Sequence, residues 1–279
     1  MIGSAHPIFR VSGGHGGLEP PNLISLLHGV FSDVPLVGLL FKYENIFFAV
    51  AAGLILSVVF AVGTRRLTLV PGRVQNVLET IVETLQDFFG GILGHYGKAF
   101  VPFVGTLFLY IFCMNMMGLV PFLKSSTTDL NTTLALAACV FVCVQFTALT
   151  KLGPLTYLDH LAGQPRGFGM FLLSVVLLFP LFVILDVIVP PITLSLRLFG
   201  NITGGDTLLA AFQSMAAQNL LGPTSLLSFV GGLLAFVTVI VISFLLVLLD
   251  TIQALVFSVL ATIYILLVLP HEEHPEHAH

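Results

Sequence analysis

Residues 226–269 read LLSFVGGLLAFVTVIVISFLLVLLDTIQALVFSVLATIYILLVL, 44 consecutive positions with one charged side chain, Asp250. As a helix rising about 1.5 Å per residue, this stretch is about 66 Å long, roughly twice the ~30 Å hydrocarbon core of a bilayer. It contains no proline and no Asn-Gly type of turn signal that would fold it into a hairpin. A single, steeply tilted membrane helix is therefore expected. Working outward, residues 168–202 form a second long apolar run of 35 positions, about 52 Å as a helix, in which Pro180, Pro190 and Pro191 mark an expected kink.

The rest of the chain has the same character. Of 279 residues, 57% are hydrophobic and 9% charged, and the mean hydropathy is +1.05; soluble domains carry about a quarter charged residues, so a soluble domain is excluded. Runs of this length span as helices rather than as barrel strands, giving an all-α, polytopic helical membrane protein. A net charge of -4 with no basic patch excludes nucleic-acid binding. Cys113, Cys139 and Cys143 all lie within apolar runs and are read as packing residues. No removable signal peptide is expected, and the first span drives insertion.

Five transmembrane helices are expected, at about residues 45–62, 100–119, 132–149, 168–202 and 226–269, within a single transmembrane domain, 44–270. The last two are long and tilted. Residues 1–43, punctuated by Gly13-Gly14, Gly16-Gly17, Pro20-Pro21 and Pro35, form an extracytoplasmic N-terminal segment, and 271–279 a His/Glu-rich cytoplasmic tail. At about 75–93, Val77, Leu78, Ile81, Val82, Leu85, Phe88 and Phe89 recur at helical spacing opposite Glu79, Glu83 and Asp87. This pattern describes an amphipathic, membrane-associated helix. Arg65, Arg66, Arg73, Lys98, Lys151 and Arg166 fall on one side of this topology, and Arg10, Lys42 and Lys124 on the other. The positive-inside rule then puts the N-terminus outside and the C-terminus in the cytoplasm.

Arg197 is the only basic residue deep inside an apolar run, where an arginine costs about 2.5–3.5 kcal/mol even on the mild translocon scale. Its charge is permanent, so it cannot relay protons; it attracts or separates anions. An ion pair with Asp186 or Asp250, or snorkelling to an interface, is the structural alternative. Thr193 and Asn201 flank it at four residues either way, on one helical face. Asp206 lies half a turn out of phase, and Gly204-Gly205 offer a point for the chain to turn near the helix end. Asp186, Asp206 and Asp250 are carboxylates at membrane depth, where buried acids can exchange protons near neutral pH. On the last helix Ser243, Asp250, Gln253 and Tyr264 share a broad stripe, read as a hydrated path in preference to a helix–helix contact.

The run Ser195-Leu196-Arg197-Leu198-Phe199-Gly200-Asn201 resembles the hallmark of subunit a of bacterial rotary F-type ATP synthases. Further resemblance lies in residues 69–76 (LVPGRVQN), 103–108 (FVGTLF), 118–121 (GLVP) and 128–134 (TDLNTTL), and in Gln253-Ala254 with Tyr264. It fades in 1–35 and 151–168. The resemblance implies a non-catalytic stator subunit pressed against a rotating c-ring, partnered by peripheral-stalk subunit b and the rest of the complex, in the bacterial inner membrane. It implies two offset proton half-channels separated by Arg197. Asn201 and Gln253 would be the arginine's polar neighbours, Asp206 the acid of the outer half-channel and Asp129 an acid at its mouth, with Thr193 and Tyr264 as cytoplasmic hydroxyls. Where many bacterial relatives have a histidine, seven residues before the glutamine, this chain has Leu246, and Asp250 stands one turn further on. Where many have a glutamate fourteen residues before the arginine, it has Val183, with Asp186 three residues later. Pro190 stands where many carry a basic residue.

No nucleotide-binding loop or cofactor motif occurs, and neither a cofactor nor a metal is expected. The tail 271–279 (HEEHPEHAH) lacks the spacing of a zinc-protease helix, which Pro275 would interrupt; it is read as a solvated tail. His95 and His160 are read as interfacial and Asn115 as a helix–helix hydrogen bonder. The rival function is a secondary transporter binding an anionic substrate at Arg197, against which stands the lack of an internal repeat. A purely structural anchor is disfavoured by the number of ionisable groups at membrane depth.

Overall fold

The computed structural model describes residues 23, 24, 27, 35–65, 68, 72–120, 122–151, 153, 181, 183–221 and 225–269. The tail 271–279 and residues 154–180, with His160, Arg166 and Pro180, lie outside the described residues. Among the described residues the α-helices, in chain order, are α1 (Pro35–Lys42), α2 (Glu44–Gly63), α3 (Arg73–Leu93), α4 (Gly97–Leu119), α5 (Leu130–Lys151), α6 (Val189–Leu221) and α7 (Leu226–Leu267). Among the described residues, four helical stretches are long and apolar enough to cross a membrane: Glu44–Gly63, Arg73–Leu119 across the α3–α4 joint, Leu130–Lys151 and Leu226–Leu267. The protein is an all-helical, polytopic membrane protein.

The bundle has two ends. At one, which we call the Asp129 end, the start of α2 meets the α4–α5 connection: Lys124 Nζ lies 2.7 Å from Glu44 Oε1, and Asn45 Nδ2 donates to Asp129 Oδ2 at 3.1 Å. At the other, the Gly97 end, α4 begins and α7 finishes; Phe89, Leu93, Val101, Val104, Ile265 and Leu269 form one buried cluster there. The main core lies between, built from Phe48 and Ala52 of α2, Ile111 and Met114 of α4, Ala137 and Val140 of α5, Leu198 of α6 and Phe257 of α7. The N-terminal segment joins it, since Ile24 is buried in this core and Leu23 N donates to Phe122 O at 2.8 Å.

Helix α3 runs across the Gly97 end rather than through the bundle. Near its start, Leu78 and Val74 reach Gly63 at the end of α2, while near its finish Phe89 and Leu93 join the cluster with the end of α7. Its buried face carries Leu78 and Phe89, and Glu83 and Asp87 are exposed, the division expected of a helix between apolar and aqueous surroundings. It stops at Gly94, whose φ of +55° suits a residue without a Cβ and reverses the chain into α4.

The arginine-bearing helix differs from the apolar run in which Arg197 sits. The chain is π-helical over Val183–Ile188, then α-helical to Leu221. Pro190 and Pro191 have no N–H, and their rings crowd the carbonyls one turn back, which accounts for a widened turn immediately before them. The chain does not turn at Gly204-Gly205: α6 passes through both and ends well past residue 202. It is 33 residues long, but Arg197, Asn201, Asp206, Gln213 and Asn219 make it more polar than the spans above. Its continuation is explained by packing on α7. A Cβ at Gly205 would strike Leu246 Cδ2, and one at Gly232 would approach Leu220 Cγ to 2.8 Å. The two helices are therefore antiparallel over the whole of that interval. Helix α7, 42 residues or about 63 Å, is unbroken, and its N-cap Ser225 Oγ accepts from Ser228 N at 3.1 Å.

Candidate functional site: a polar face at mid-helix

Continuing the α6–α7 register from Gly205 and Leu246 brings Arg197 level with Gln253 and Ala254. Arg197 is exposed. So are Thr193 on one side of it and Gly200 and Gly204 on the other, with Asn201 half-buried; nothing lies within 4 Å of where a Cβ would stand at either glycine. The result is an open strip of α6 with a guanidinium in it and, on the Gly200 and Gly204 side, no side chain to hold a neighbouring helix away. Among the described residues no hydrogen bond or ion pair engages Arg197, so the alternative of a structural pair with Asp250 is not realised. Thr193 Oγ1 bonds back to the Val189 and Pro190 carbonyls, at 3.0 Å each.

Behind this strip, Gln253 is 8% exposed, and its Nε2 is buried without a hydrogen-bond partner among the described residues. A buried amide donor left unpaired costs about 1–3 kcal/mol, a cost that a functional group waiting for a partner explains. Asp250, one turn from Leu246, is 6% exposed and within electrostatic reach of Asp206 on α6. The two helices thus set two carboxyl groups against each other beside the arginine level. Ser243 and Tyr264 are half-buried on α7; the Ser243 hydroxyl bonds to its own helix at Val239 O, and Tyr264 packs against the main core. Asp186 lies in the π-helical turn.

A second set of polar groups connects Asp250 with the Asp129 end. Asn115, 1% exposed, donates through Nδ2 to the Asp250 carbonyl at 3.3 Å and accepts from Thr127 Oγ1 at 2.9 Å. Thr127 lies 2.6 Å from Ser125 Oγ, and Ser126 Oγ donates to the Asn45 carbonyl. Asn45 in turn reaches Asp129, whose Oδ1 accepts from Asn131 N at 3.2 Å and whose carbonyl accepts from Thr132 and Thr133 N. Asp129 therefore caps the start of α5. Asn115 does make the helix–helix bond expected of it. Asn45, Ser125 and Ser126 were not singled out in the sequence; for the two serines the only signal was their polarity near Asp129, and Asn45, 84 residues away, gave none.

Fold and site together define a helical membrane protein that carries a permanent cation on an exposed helix face, level with an unfilled amide on the neighbouring helix. The family model for the ATP synthase A chain matches residues 46–266, and the chain belongs to that family. It is 41% identical over 252 residues to "ATP synthase subunit a" of Protochlamydia amoebophila, covering 89% of each chain. It is 32% identical to the protein of that name from Oleidesulfovibrio alaskensis, over 89% of this chain and 95% of the relative, and 35% identical to that of Moorella thermoacetica, over 76% and 84%.

Proposed function

We propose that this chain is the stator ion-channel subunit of an F-type ATP synthase, providing two offset proton half-channels against a rotating c-ring and taking no part in nucleotide chemistry. The observation that carries this reading is Arg197, unpaired on an open, glycine-flanked strip and level with the unpartnered Gln253 amide. A ring helix bearing a carboxylate is the partner whose charge and shape suit that strip. Near Arg197 the carboxylate is favoured as its anion, so it releases its proton and cannot carry one straight past the arginine. Translocation then requires the ring to turn. Each proton descending ~100 mV supplies about 2.3 kcal/mol.

Asp206, Asp250 and Asn201 belong to the outer half-channel, with Asp129 at its mouth; Asp186, Thr193 and Tyr264 belong to the cytoplasmic one, and Ser243 to the wall of α7. The Asp129 end faces outward and the Gly97 end the cytoplasm, on the bias of Lys and Arg. Subunit b and the remaining subunits hold the chain against the torque of the ring, in the bacterial inner membrane. The rival secondary transporter finds no support among the relatives.

The test is ATP-driven proton uptake into inverted membrane vesicles, comparing the native chain with Arg197→Ala at equal assembly on immunoblot. Loss of pumping with intact assembly is expected; normal pumping would overturn the proposal.

A further inference from the structure

Where α3 crosses the Gly97 end it leaves a crevice against the flanks of α2 and α4. Two adjoining cavities occupy it, of about 340 and 430 Å³, within the ~300–1,000 Å³ range of small-ligand sites. The first is walled by Leu56, Phe60, Val82, Leu85 and Leu109. Its hydroxyls are turned away from ligands: Ser57 Oγ and Thr106 Oγ1 each bond at 2.7 Å to carbonyls of their own helices, Gly53 and Pro102. The second is walled by Gly90, Gly94, Gly97 and Lys98, and both share Gln86, Val101 and Pro102. Gly90 and Gly94, where a Cβ would meet nothing within 4 Å, leave the space open, and Gly97 closes on the Gly90 Cα. Pro102 lies inside α4 and supplies no N–H, so the Lys98 carbonyl loses its helical partner. Among the described residues the exposed Lys98 ammonium has no ion pair or hydrogen bond. Glu83 and Asp87 are exposed on α3 and line neither cavity.

We propose that this crevice binds an anionic phospholipid, with the phosphate on Lys98 and one acyl chain in the apolar cavity between α2, α3 and α4. The two ends of the crevice match the two ends of such a molecule: the Lys98 ammonium at the start of α4 and the Gln86 amide of α3 beside it, and an apolar channel beyond. Basic pockets between membrane helices are the usual seats of anionic headgroups. The concave wall and the single cation distinguish this site from ordinary lipid contact along exposed faces such as Leu226–Phe229. The inference depends on the chain being a membrane protein and not on the ion path.

The test uses the full chain in its purified complex, reconstituted into vesicles with trace phosphatidylglycerol or phosphatidylcholine carrying a photoreactive acyl chain, followed by peptide mapping. Phosphatidylglycerol should label residues 56–60 and 101–109 about fivefold more than phosphatidylcholine does, the worth of one lysine near an anionic lipid. Lys98→Gln should erase that preference. Thr106→Phe, which fills the cavity, should cut crevice labelling by both lipids and leave residues 226–229 labelled as before. In the unmodified chain, competition by unlabelled phosphatidylglycerol alone gives the same answer whether or not the variants assemble. Equal labelling by the two headgroups, a preference that survives Lys98→Gln, or a crevice that never labels because another subunit's helix fills it would each overturn the proposal.

Discussion

Two groups of polar side chains lie among the apolar helices, and they are treated in opposite ways. Between Asp129 and Asp250, the side chains of Asn115, Ser125, Ser126 and Thr127 each have a hydrogen-bonding partner, and Asn45 donates to Asp129, its Oδ1 being the one buried atom of this group without a partner among the described residues. At the arginine level, Gln253 Nε2 is buried without a partner, and no bond engages Arg197 among the described residues. A buried hydrogen bond adds about 1 kcal/mol net, whereas a buried orphan subtracts more than that. The first group therefore contributes to the fold. The second detracts from it, and its retention points to an encounter with something outside the chain.

That contrast can be broken at several points. Gln253→Leu removes the orphan donor, so stability of the assembled complex should hold or rise; proton pumping should fall about tenfold, the worth of a hydrogen bond to a charged group. Melting temperature and vesicle acidification measured on one preparation check both halves, and parallel losses would erase the distinction. Asn115→Val should do the reverse. Two buried groups lose their partner, costing about 1–3 kcal/mol, visible as a lower melting temperature and less assembled complex, with activity per assembled complex nearly kept. Asp206→Asn should slow passive proton entry into vesicles stripped of the catalytic head more than Asp186→Asn does; the opposite order would reassign the half-channels. The smallest effect on pumping is expected at the Lys124–Glu44 pair, whose side chains are 14% and 13% exposed. Lys124→Met takes the ammonium away from the Glu44 carboxylate and should lower the melting temperature, at a cost of about 3 kcal/mol, while leaving pumping per assembled complex unchanged.

The sequence made the apolar helices plain, because unbroken apolar length is itself the signal: α2, α4, α5 and α7 each occupy such a run. It concealed the extent of α6. From Thr203 through Asn219 the composition becomes too polar for a span, and the helix is sustained by tertiary packing of Gly205 on Leu246 and Gly232 on Leu220. At the site, Arg197 was conspicuous because a lone cation in an apolar run is costly. Its openness was not, since exposure depends on which face α7 covers. The Asn115–Asp250 bond joins residues 135 apart in sequence and the Asn45–Asp129 bond residues 84 apart; no local pattern encodes either.

The position of α3 also bears on how the protein is made. Phe89 and Leu93 are released from the ribosome long before Ile265 and Leu269, yet these four share one buried cluster with Val101 and Val104. While synthesis continues, the early residues have only part of their apolar surroundings. The bundle closes at this end when the last turn of the last helix arrives. A nascent chain that stalls or is cut short before that point leaves Phe89 and Leu93 uncovered at the membrane surface, a ready mark for the proteases that clear unfinished membrane proteins.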